Sequence, residues 1–299
     1  MHERHPTCQV ITADDELFLL DCGEGAQEQM NRFKIRRSRI SHIFISHLHG
    51  DHYLGLPGLL NSFSLTSRKD PVHLYGPAAL MPILDLMFEA AQANLSYPLH
   101  FHALEEEKQL VDGKKFTVTC FRVFHRIECW GFVIREKEKP RKIDPDRADD
   151  LDVPTSFYPS LKEGLDYVHP SGRVVKNEWV TKSSNPPRSY GYCADTRFDL
   201  SIAEKVIGCN LIYHEATYLD DLREKAAERF HSTARQAAEL AQAARAKSLL
   251  IGHFSSKYED ISPFLEEARY SFQNTELAKE GVTFLIEHFQ EGHFPEVRG

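Results

Sequence analysis

Short apolar runs alternate with amphipathic stretches along most of the chain. Strands are predicted at residues 9–20, which form a hairpin around Ala13, Asp14 and Asp15, and at residues 72–75, 116–123, 189–196, 211–217 and 248–252. Helices are predicted at residues 26–33, 56–67, 77–94, 218–230 and 233–246. This mixture of strands and helices predicts an α/β fold.

Two helix starts carry local signals. Pro77 is predicted at the first position of its helix, where its missing N–H costs nothing. Thr233 and Gln236 have the spacing of a capping box, which opens an alanine-rich helix. The 299 residues can bury the core of one large domain, or of one domain with an appendage.

Residues 136–180 interrupt the pattern. They are rich in Pro, Asp, Lys and Arg, and such a composition is unsuited to a packed sheet. We therefore expect a partly helical insertion that projects from the fold. The predicted organisation is a domain formed by residues 1–135 and 181–299, with residues 136–180 inserted as an arm.

Candidate metal ligands are most closely clustered in residues 45–60, ISHLHGDHYLGLPGLL, which come directly after an apolar strand. Imidazole and carboxylate are ligands for divalent zinc, manganese or iron. Gly50 allows the sharp turn that presents two ligand groups, so one segment can serve two metals. Without metal, this many clustered ligands would repel one another or need costly partners. The four candidate ligands are His47, His49, Asp51 and His52.

Further candidates follow other apolar strands. His125 comes after residues 116–123, and Asp195 ends the strand at residues 189–196. Glu215 and His253 end the next two strands in the same way. These recurrences predict that the chemistry gathers in a cleft at one edge of a sheet. Asp195 capping the next turn is the structural alternative.

Several of these segments resemble motifs of the metallo-β-lactamase superfamily, and specifically of its RNase Z branch, the endonucleases that trim the 3′ end of precursor tRNA. The resemblance spans residues 4–274 and rests on FISHLHGDHYLGLPGLL, ADTR, HEAT, HST and HFS, together with DCGE at residues 21–24. Ala194 stands where the family has glycine in G-D-T-R. For Asp21 and Glu24, a helix-capping role and a supporting role near the metals remain equally open.

The resemblance implies an αββα sandwich with two zinc ions per subunit, manganese or iron being alternatives. It assigns His47, His49 and His125 to the first ion, Asp51, His52 and His253 to the second, and Asp195 to both. It also implies removal of the 3′ trailer near the discriminator nucleotide. A hydroxide made available by the metals would attack the phosphodiester.

Catalytic roles are implied for three residues. Asp51 would orient the attacking group as a base, and His231, held by Glu215, would protonate the departing 3′ oxygen. The start of the following helix is expected to bias His231 toward its neutral form. A purely structural role for Glu215 and His231 is the alternative.

The net charge of −8 excludes a protein that coats nucleic acid over its whole surface. Contacts to RNA must then be local, and residues 32–39 and 135–142 are the two basic stretches. The arm matches the position of the family's exosite, which grips tRNA, but it lacks the Gly-Pro-rich turn. The candidates for phosphate contacts are Lys137, Lys139, Arg141 and Lys142. A surface element used for dimer contacts is the alternative.

Compartment and partners follow from simpler features. No apolar run approaches the roughly 20 residues of a membrane span, and the N-terminal segment lacks the apolar core of a signal peptide, so a cytoplasmic protein is expected. The six cysteines show no C-x-x-C pair, which favours reduced thiols. The resemblance implies precursor tRNA as substrate and a homodimer, in which one subunit's arm helps to hold RNA for the other's site.

Two rival hypotheses remain. The same metal core serves enzymes that act on small phosphodiesters, and a tRNA-binding relative could keep the fold without catalysis. Glu215, His231 and the arm argue against the first rival, and the complete ligand set argues against the second. The chain also begins without the strand and glycine-rich loop with which family members open, so a missing N-terminal strand is expected.

Overall fold

The structure is a computed structural model that describes residues 4–13 and 16–286 and the backbone of residues 297–298. Its first sheet has five strands in the order β1-β2-β3-β4-β5. β1 pairs antiparallel with β2, and the other neighbours are parallel. The strands are β1 (Gln9–Ala13), β2 (Glu16–Leu20), β3 (Ile40–Phe44), β4 (Val72–Pro77) and β5 (Leu99–Leu104). The predicted hairpin is confirmed, although its turn residues Asp14 and Asp15 lie outside the described residues.

Helices of the first half cover one face of this sheet. They are α1 (Ala26–Arg32), α2 (Gly50–Tyr53), α3 (Leu56–Leu65) and α4 (Leu80–Ala90), with a 3₁₀ turn at Arg37–Arg39. Alternate strand residues such as Ile43 and Leu74 pack against Leu59, Leu60 and Leu84 of the helices. Burying one apolar stripe of each helix in this way drives the layer together.

The predicted start of α4 is wrong. Pro77 is the last residue of β4, where it pairs with Leu104, and the helix begins only at Leu80. A proline near φ −65° without an N–H suits both a strand end and a first helical turn, so its presence alone does not distinguish them.

The chain continues into strands of a second sheet, β6 (Gln109–Asp112), β7 (Phe116–Val123) and β8 (Cys129–Glu136), and then into the arm. The elements of the arm are β9 (Lys142–Ile143), α5 (Pro145–Asp150), a 3₁₀ turn at Thr155–Phe157, α6 (Tyr158–Lys162), β10 (Tyr167–Val168), β11 (Val174–Val175), α7 (Asn177–Val180) and β12 (Thr181–Lys182).

The arm has a small core of its own. Its buried apolar residues contact one another rather than the two large cores of the molecule, and they are Ala148, Val153, Leu161, Val175 and Val180. β9 and β12 pair antiparallel, so the chain enters and leaves the arm side by side at Lys142 and Lys182. The division of the chain into two domain parts and an arm stays a prediction.

After the arm, the chain completes the second sheet. The remaining elements are β13 (Ser189–Tyr192), α8 (Ser201–Lys205), β14 (Leu211–Glu215), a 3₁₀ turn at Asp220–Leu222, α9 (Arg223–Glu228), α10 (Ala234–Ala243), β15 (Ser248–Gly252), α11 (Ser262–Ser271), β16 (Thr275–Leu277), β17 (Thr283–Phe284) and β18 (Val297–Arg298). The seven-stranded order is β16-β15-β14-β13-β8-β7-β6. The predicted capping box of α10 is confirmed by both of its hydrogen bonds.

The two sheets pack face to face. Phe18 of the first sheet lies edge-on to Phe116 of the second, with ring centroids 4.6 Å apart, and Phe44 lies 5.3 Å from Phe132. Helices α10 and α11 bury residues against the other face of the second sheet. The layers are therefore helix, sheet, sheet and helix, which confirms the predicted αββα sandwich. In the described part of the chain, no helix is long and apolar enough to cross a membrane.

The strand directions bring the candidate site residues of the second sheet to the same side. β7 and β13 both run antiparallel to β8, and β14 and β15 run parallel to β13, so β7, β13, β14 and β15 all end on the same side. His125, Asp195, Glu215 and His253 lie at these ends. The motif that follows β3 belongs to the other sheet. The expectation of a single sheet edge is therefore wrong, because the cleft is formed by the ends of two sheets.

Candidate metal and catalytic centre

Three histidines form the first group of candidate ligands. His47 follows β3, His49 precedes α2, and His125 follows β7. His49 Nδ1 lies 3.1 Å from His47 Nε2 and 3.0 Å from His125 Nε2. His125 donates its Nδ1–H to the carbonyl oxygen of Phe230 at 2.9 Å, which leaves Nε2 as the nitrogen with a free lone pair.

Burial and the neighbouring imidazole of His52 lower the pKa of His47 to about 2. His47 is therefore neutral over the whole physiological range, and a neutral imidazole is the form that binds metal.

Asp51, His52 and His253 form the second group. Asp51 Oδ2 lies 3.2 Å from His253 Nε2 and 3.5 Å from His52 Nε2. Each of the two histidines is oriented by a hydrogen bond from its other ring nitrogen. His52 donates its Nδ1–H to Asp21 Oδ2 at 2.7 Å, and His253 donates to Thr217 Oγ at 3.0 Å. Both rings consequently present Nε2 to the carboxylate of Asp51.

Asp195 lies between the two groups. Its Oδ2 is 3.3 Å from His253 Nε2, 3.5 Å from His52 Nε2 and 4.0 Å from His47 Nε2. The preceding Ala194 has φ +46°, a left-handed conformation in which a Cβ costs on the order of 1 kcal/mol. The glycine of the related G-D-T-R motif is explained by this backbone, which aims Asp195 into the cleft.

Asp21 supports the cluster and caps no helix. Ser46 donates both its N–H and its hydroxyl to Asp21, at 2.7 and 2.8 Å, and Tyr192 donates its hydroxyl at 2.6 Å. Together with the bond from His52, these contacts fix a fully buried carboxylate behind the ligand ring. Glu24 is exposed, and α1 begins without a side-chain cap. Of the two roles left open by the sequence, Asp21 therefore has the supporting one, and Glu24 does not cap the helix.

Glu215 and His231 form a hydrogen-bonded pair beside the ligand groups. His231 donates its Nδ1–H to Glu215 Oε1 at 2.7 Å. Glu215 is fully buried and also accepts from the N–H of Thr196 and from the N–H and hydroxyl of Thr217, at 3.0, 3.0 and 2.7 Å. This rigid carboxylate determines the orientation of the His231 ring.

The expectation of a neutral His231 is wrong. Burial by itself lowers the pKa of His231, but the Glu215 carboxylate outweighs burial and raises that pKa to about 9. The reason is distance, because an ion pair at 2.7 Å dominates over the partial charge of a helix that begins three residues later.

The cluster fits divalent metal ions of the zinc, manganese or iron type. His52 Nε2 is buried and has no hydrogen-bond partner among the described residues, as expected for a ligand atom. Imidazole nitrogens and carboxylate oxygens form the donor set. Several carboxylates are buried together here, and a cation offsets such a charge. His231 also belongs to two further groups of possible ligand atoms. One group contains His125 and Asp195, and the other contains Glu215 and His253.

Comparison with known proteins places this geometry in a family. Ribonuclease Z of Bacteroides fragilis strain YCH46 is 43% identical over 282 residues, which cover 94% of this chain and 93% of the relative. Ribonuclease Z of Porphyromonas gingivalis strain W83 is 40% identical over 278 residues, or 92% and 91% of the two chains. The chain belongs to the ribonuclease Z family.

Solved structures agree with this membership. The crystal structure of the short form of human tRNase Z is 27% identical, with a TM-score of 0.67, and the match covers 93% of this chain and 91% of that one. The metallo-β-lactamase fold protein YhfI of Bacillus subtilis, at 16% identity and a TM-score of 0.65, shares the fold. A family model described as Anti-Pycsar protein Apyc1 matches residues 3–140.

The candidate RNA-binding residues of this ribonuclease Z family member lie at the base of the arm. Lys137 contacts Asp112 at 2.5 Å, and Lys139 lies 3.9 Å from Glu136. Arg141 donates to the hydroxyls of Thr181 and Ser183, which ties the arm's entry to its exit. Lys142 is exposed. The structure does not bring these four cations to the metal-ligand cluster, and their contact with RNA stays a prediction.

Proposed function

We propose that the protein is an endoribonuclease that removes the 3′ trailer from precursor tRNA by hydrolysing the phosphodiester near the discriminator nucleotide. The observation that carries this proposal is the Glu215–His231 pair, 2.7 Å long, set beside two ligand groups that share Asp195. A metal core alone suits many hydrolases, whereas a proton donor next to that core suits loss of a poor leaving group. Family membership supports the same substrate class.

We assign two ions to the cluster, with zinc first and manganese or iron as substitutes. His47, His49 and His125 would hold one, Asp51, His52 and His253 would hold the other, and the carboxylate of Asp195, which lies between the two groups, would serve both. When bound, the ions supply Lewis acidity and make water nucleophilic at neutral pH.

Asp51 handles the attacking water. Its side chain is 46% exposed, so it faces the solvent that supplies water, while its Oδ2 stays 3.2 Å from His253. His253 and His52 hold the pKa of Asp51 below its usual range, although burial opposes them, so the residue is ionised. An ionised carboxylate accepts a hydrogen bond from water and orients it, and it takes the proton as the bond to phosphorus forms.

His231 serves the leaving group. Its Nδ1–H is held by Glu215, so Nε2 remains to give a proton to the 3′ oxygen as the P–O bond breaks. The water oxygen ends on the trailer as part of a 5′ phosphate, and the tRNA keeps a 3′ hydroxyl. The proton lost by water and the proton gained by the 3′ oxygen balance the reaction.

The direct test is cleavage of a 3′-extended precursor tRNA in the presence of zinc or manganese, with the cut mapped at nucleotide resolution. We expect a single cut next to the discriminator nucleotide or the CCA end. Hydrolysis of a small chromogenic diester without any cut in the tRNA would refute the proposed substrate and leave the metal core standing.

Metal content should report the two ligand groups separately. We expect about two equivalents in the wild type, about one in His125→Ala and in His253→Asn, and fewer than one in Asp195→Ala, because that carboxylate serves both ions. Asparagine is chosen at residue 253 because φ there is +60°, which Asn tolerates. Elemental analysis after dialysis measures this, with the arm variant His169→Ala as control. Loss of both equivalents in either His125→Ala or His253→Asn would contradict two separate sites.

We further propose that the arm grips the tRNA away from the cleavage site. Lys137, Lys139, Arg141 and Lys142 form a cationic base to the arm, which suits sequence-independent contact with phosphates. The arm's separate core supports this role, because such a unit can project without disturbing the catalytic domain.

Excising the arm should separate binding from chemistry. Because Lys142 and Lys182 are paired neighbours, residues 143–181 can be replaced by an Asn-Gly turn without moving the flanking strands. We expect the excision combined with Lys137→Gln, Lys139→Gln, Arg141→Gln and Lys142→Gln to lower kcat/KM for precursor tRNA by at least about 100-fold, as for loss of several phosphate contacts. Hydrolysis of a small diester should change less than about threefold. Equal losses on both substrates would remove the arm from RNA binding.

We propose that the protein acts as a cytoplasmic homodimer in which the arm serves the partner's site. A mixing experiment tests the arrangement directly. On precursor tRNA, arm-excised subunits and Asp51→Ala subunits are each expected to be nearly inactive. In a mixture, the dimers that contain one subunit of each kind should restore up to about half of the tRNA cleavage per intact site. A mixture with no more activity than the sum of its parts would show that each arm serves its own subunit.

A small-molecule phosphodiesterase is the second candidate, because the ligand cluster by itself suits hydrolysis of small diesters as well as of RNA. A family model described as Anti-Pycsar protein Apyc1 matches residues 3–140. That match covers less than half of the chain and ends before Asp195, Glu215, His231 and His253. It therefore does not bear on the proton donor, which is the feature that carries the first proposal.

A further inference from the structure

Four histidines outside the catalytic centre line up across the first sheet. His42, His73 and His100 are register partners on β3, β4 and β5, and His102 is the next residue of β5 on the same face. We refer to His42, His73, His100 and His102 as the histidine ladder. His42 lies five residues before His47 along the strand direction, so the ladder is on the order of 16 Å from the metal-ligand cluster.

The rings of the ladder lie close together. Ring centroids are 5.1 Å apart for His42 and His73, 5.1 Å for His73 and His100, and 5.4 Å for His73 and His102. His73 Nδ1 and His102 Nε2 are 3.1 Å apart. A metal ion bound about 2.0–2.1 Å from two nitrogens at an angle between about 90° and 110° holds them roughly 2.8–3.4 Å apart. The observed separation falls within that range.

His73 and His102 are in the neutral form that can bind a metal ion. Burial and the neighbouring imidazoles lower the pKa of His73 and of His102, so both rings are neutral at pH 7. His102 and His100 are exposed on β5, an edge strand, so ions in solvent can reach them. A neutral imidazole offers a lone pair without first having to lose a proton.

We propose that His73 and His102 chelate a divalent transition-metal ion of the nickel, copper or zinc class at a second, peripheral site. Imidazole selects these borderline ions over magnesium and calcium, which prefer oxygen ligands. In the described part of the chain, no third His, Cys, Asp or Glu ligand atom converges with this pair. Water completes the coordination, and His100 is the nearest further imidazole. The site is distinct from the catalytic centre because it shares no residue with it.

Calorimetric titration with Ni²⁺ tests the proposal. Untagged protein is saturated with Zn²⁺ at the catalytic centre, dialysed against metal-free buffer, and then titrated. The variants are His73→Gln and His102→Gln, and His169→Gln serves as control because it removes one partly exposed histidine of the arm. We expect one Ni²⁺ equivalent in the wild type and the control, and an affinity at least about tenfold weaker in each ladder variant, since one chelating nitrogen is lost.

A spectroscopic readout makes the assignment specific. Paramagnetic Ni²⁺ should broaden the imidazole proton signals of His73 and His102 first, before those of His47 or His253. Absence of a Ni²⁺ equivalent in the zinc-loaded wild type, or an equal affinity in the wild type and either ladder variant, would overturn the proposal and leave a hydrogen-bonded pair of imidazoles. His102 is exposed, so its variant remains informative if His73→Gln does not fold.

Discussion

Asp51→Ala is expected to lower cleavage of precursor tRNA by at least about 1000-fold while leaving the fold intact. The side chain combines two proposed roles, since its Oδ2 faces His52 and His253 in one ligand group and its exposed side meets solvent. The variant lacks both a proposed metal ligand and the group that orients water, and each loss makes the transition state less stable. Cleavage kinetics on a mapped precursor, with unfolding monitored by circular dichroism, make the measurement.

Two further variants make this result interpretable. Asp85→Ala removes an exposed carboxylate from helix α4, and it should leave activity within about twofold of the wild type. Asp51→Asn keeps the shape and removes the charge, so its metal content separates ligand from base. Retention of two equivalents with activity lost would identify the base role. Wild-type turnover in Asp51→Ala would defeat the assignment of this residue altogether.

The sequence predicted where the candidate ligands lie, because most of them come directly after a strand. A buried strand ends where its apolar run ends, so hydrophobicity indicated where His125, Asp195 and His253 lie, and their roles as ligands are what the family motif implies. That His47 and Asp195 come from different sheets was not predictable in this way, because strand order depends on contacts between distant segments.

Residues that act through other residues were harder to predict. Asp21 was left undecided and Thr217 was missed, although Thr217 connects Glu215 to His253 through one hydroxyl. A polar residue directly after a buried strand is the only local signal for either. The ligand histidines that they contact are 31 and 36 residues away, and only the fold shows which donor meets which acceptor.

Four of the nine described non-glycine residues with positive φ lie at or beside the candidate site. Asp21, Ala194, Phe230 and His253 all have φ between +46° and +60°, a conformation that non-glycine residues rarely adopt. Each of them is a candidate ligand, supports one, or directly precedes one. Phe230, for example, provides the carbonyl that accepts from His125. Such strain persists where the surrounding structure outweighs it, and it is typical of functional sites.

Glu215→Gln is expected to move the alkaline limb of the pH–rate profile to lower pH by at least about one unit. Under the proposed mechanism His231 must be protonated to give a proton to the 3′ oxygen, so activity falls as pH rises through its pKa. The Glu215 carboxylate favours the imidazolium and raises that pKa to about 9, against the effect of burial. Glutamine removes the charge, so burial then dominates and the limb shifts toward acid.

The profile distinguishes a proton relay from a structural pair. His231→Ala should lose about 10²–10⁴-fold in kcat and leave no limb attributable to this residue. Glutamine has one acceptor oxygen for the four donors that now reach Glu215, so we expect a loss of about 1–3 kcal/mol in the free energy of unfolding. Rates are therefore measured far below the unfolding temperature. If Glu215→Gln lowers activity equally at every pH, the pair holds the site together and transfers no proton.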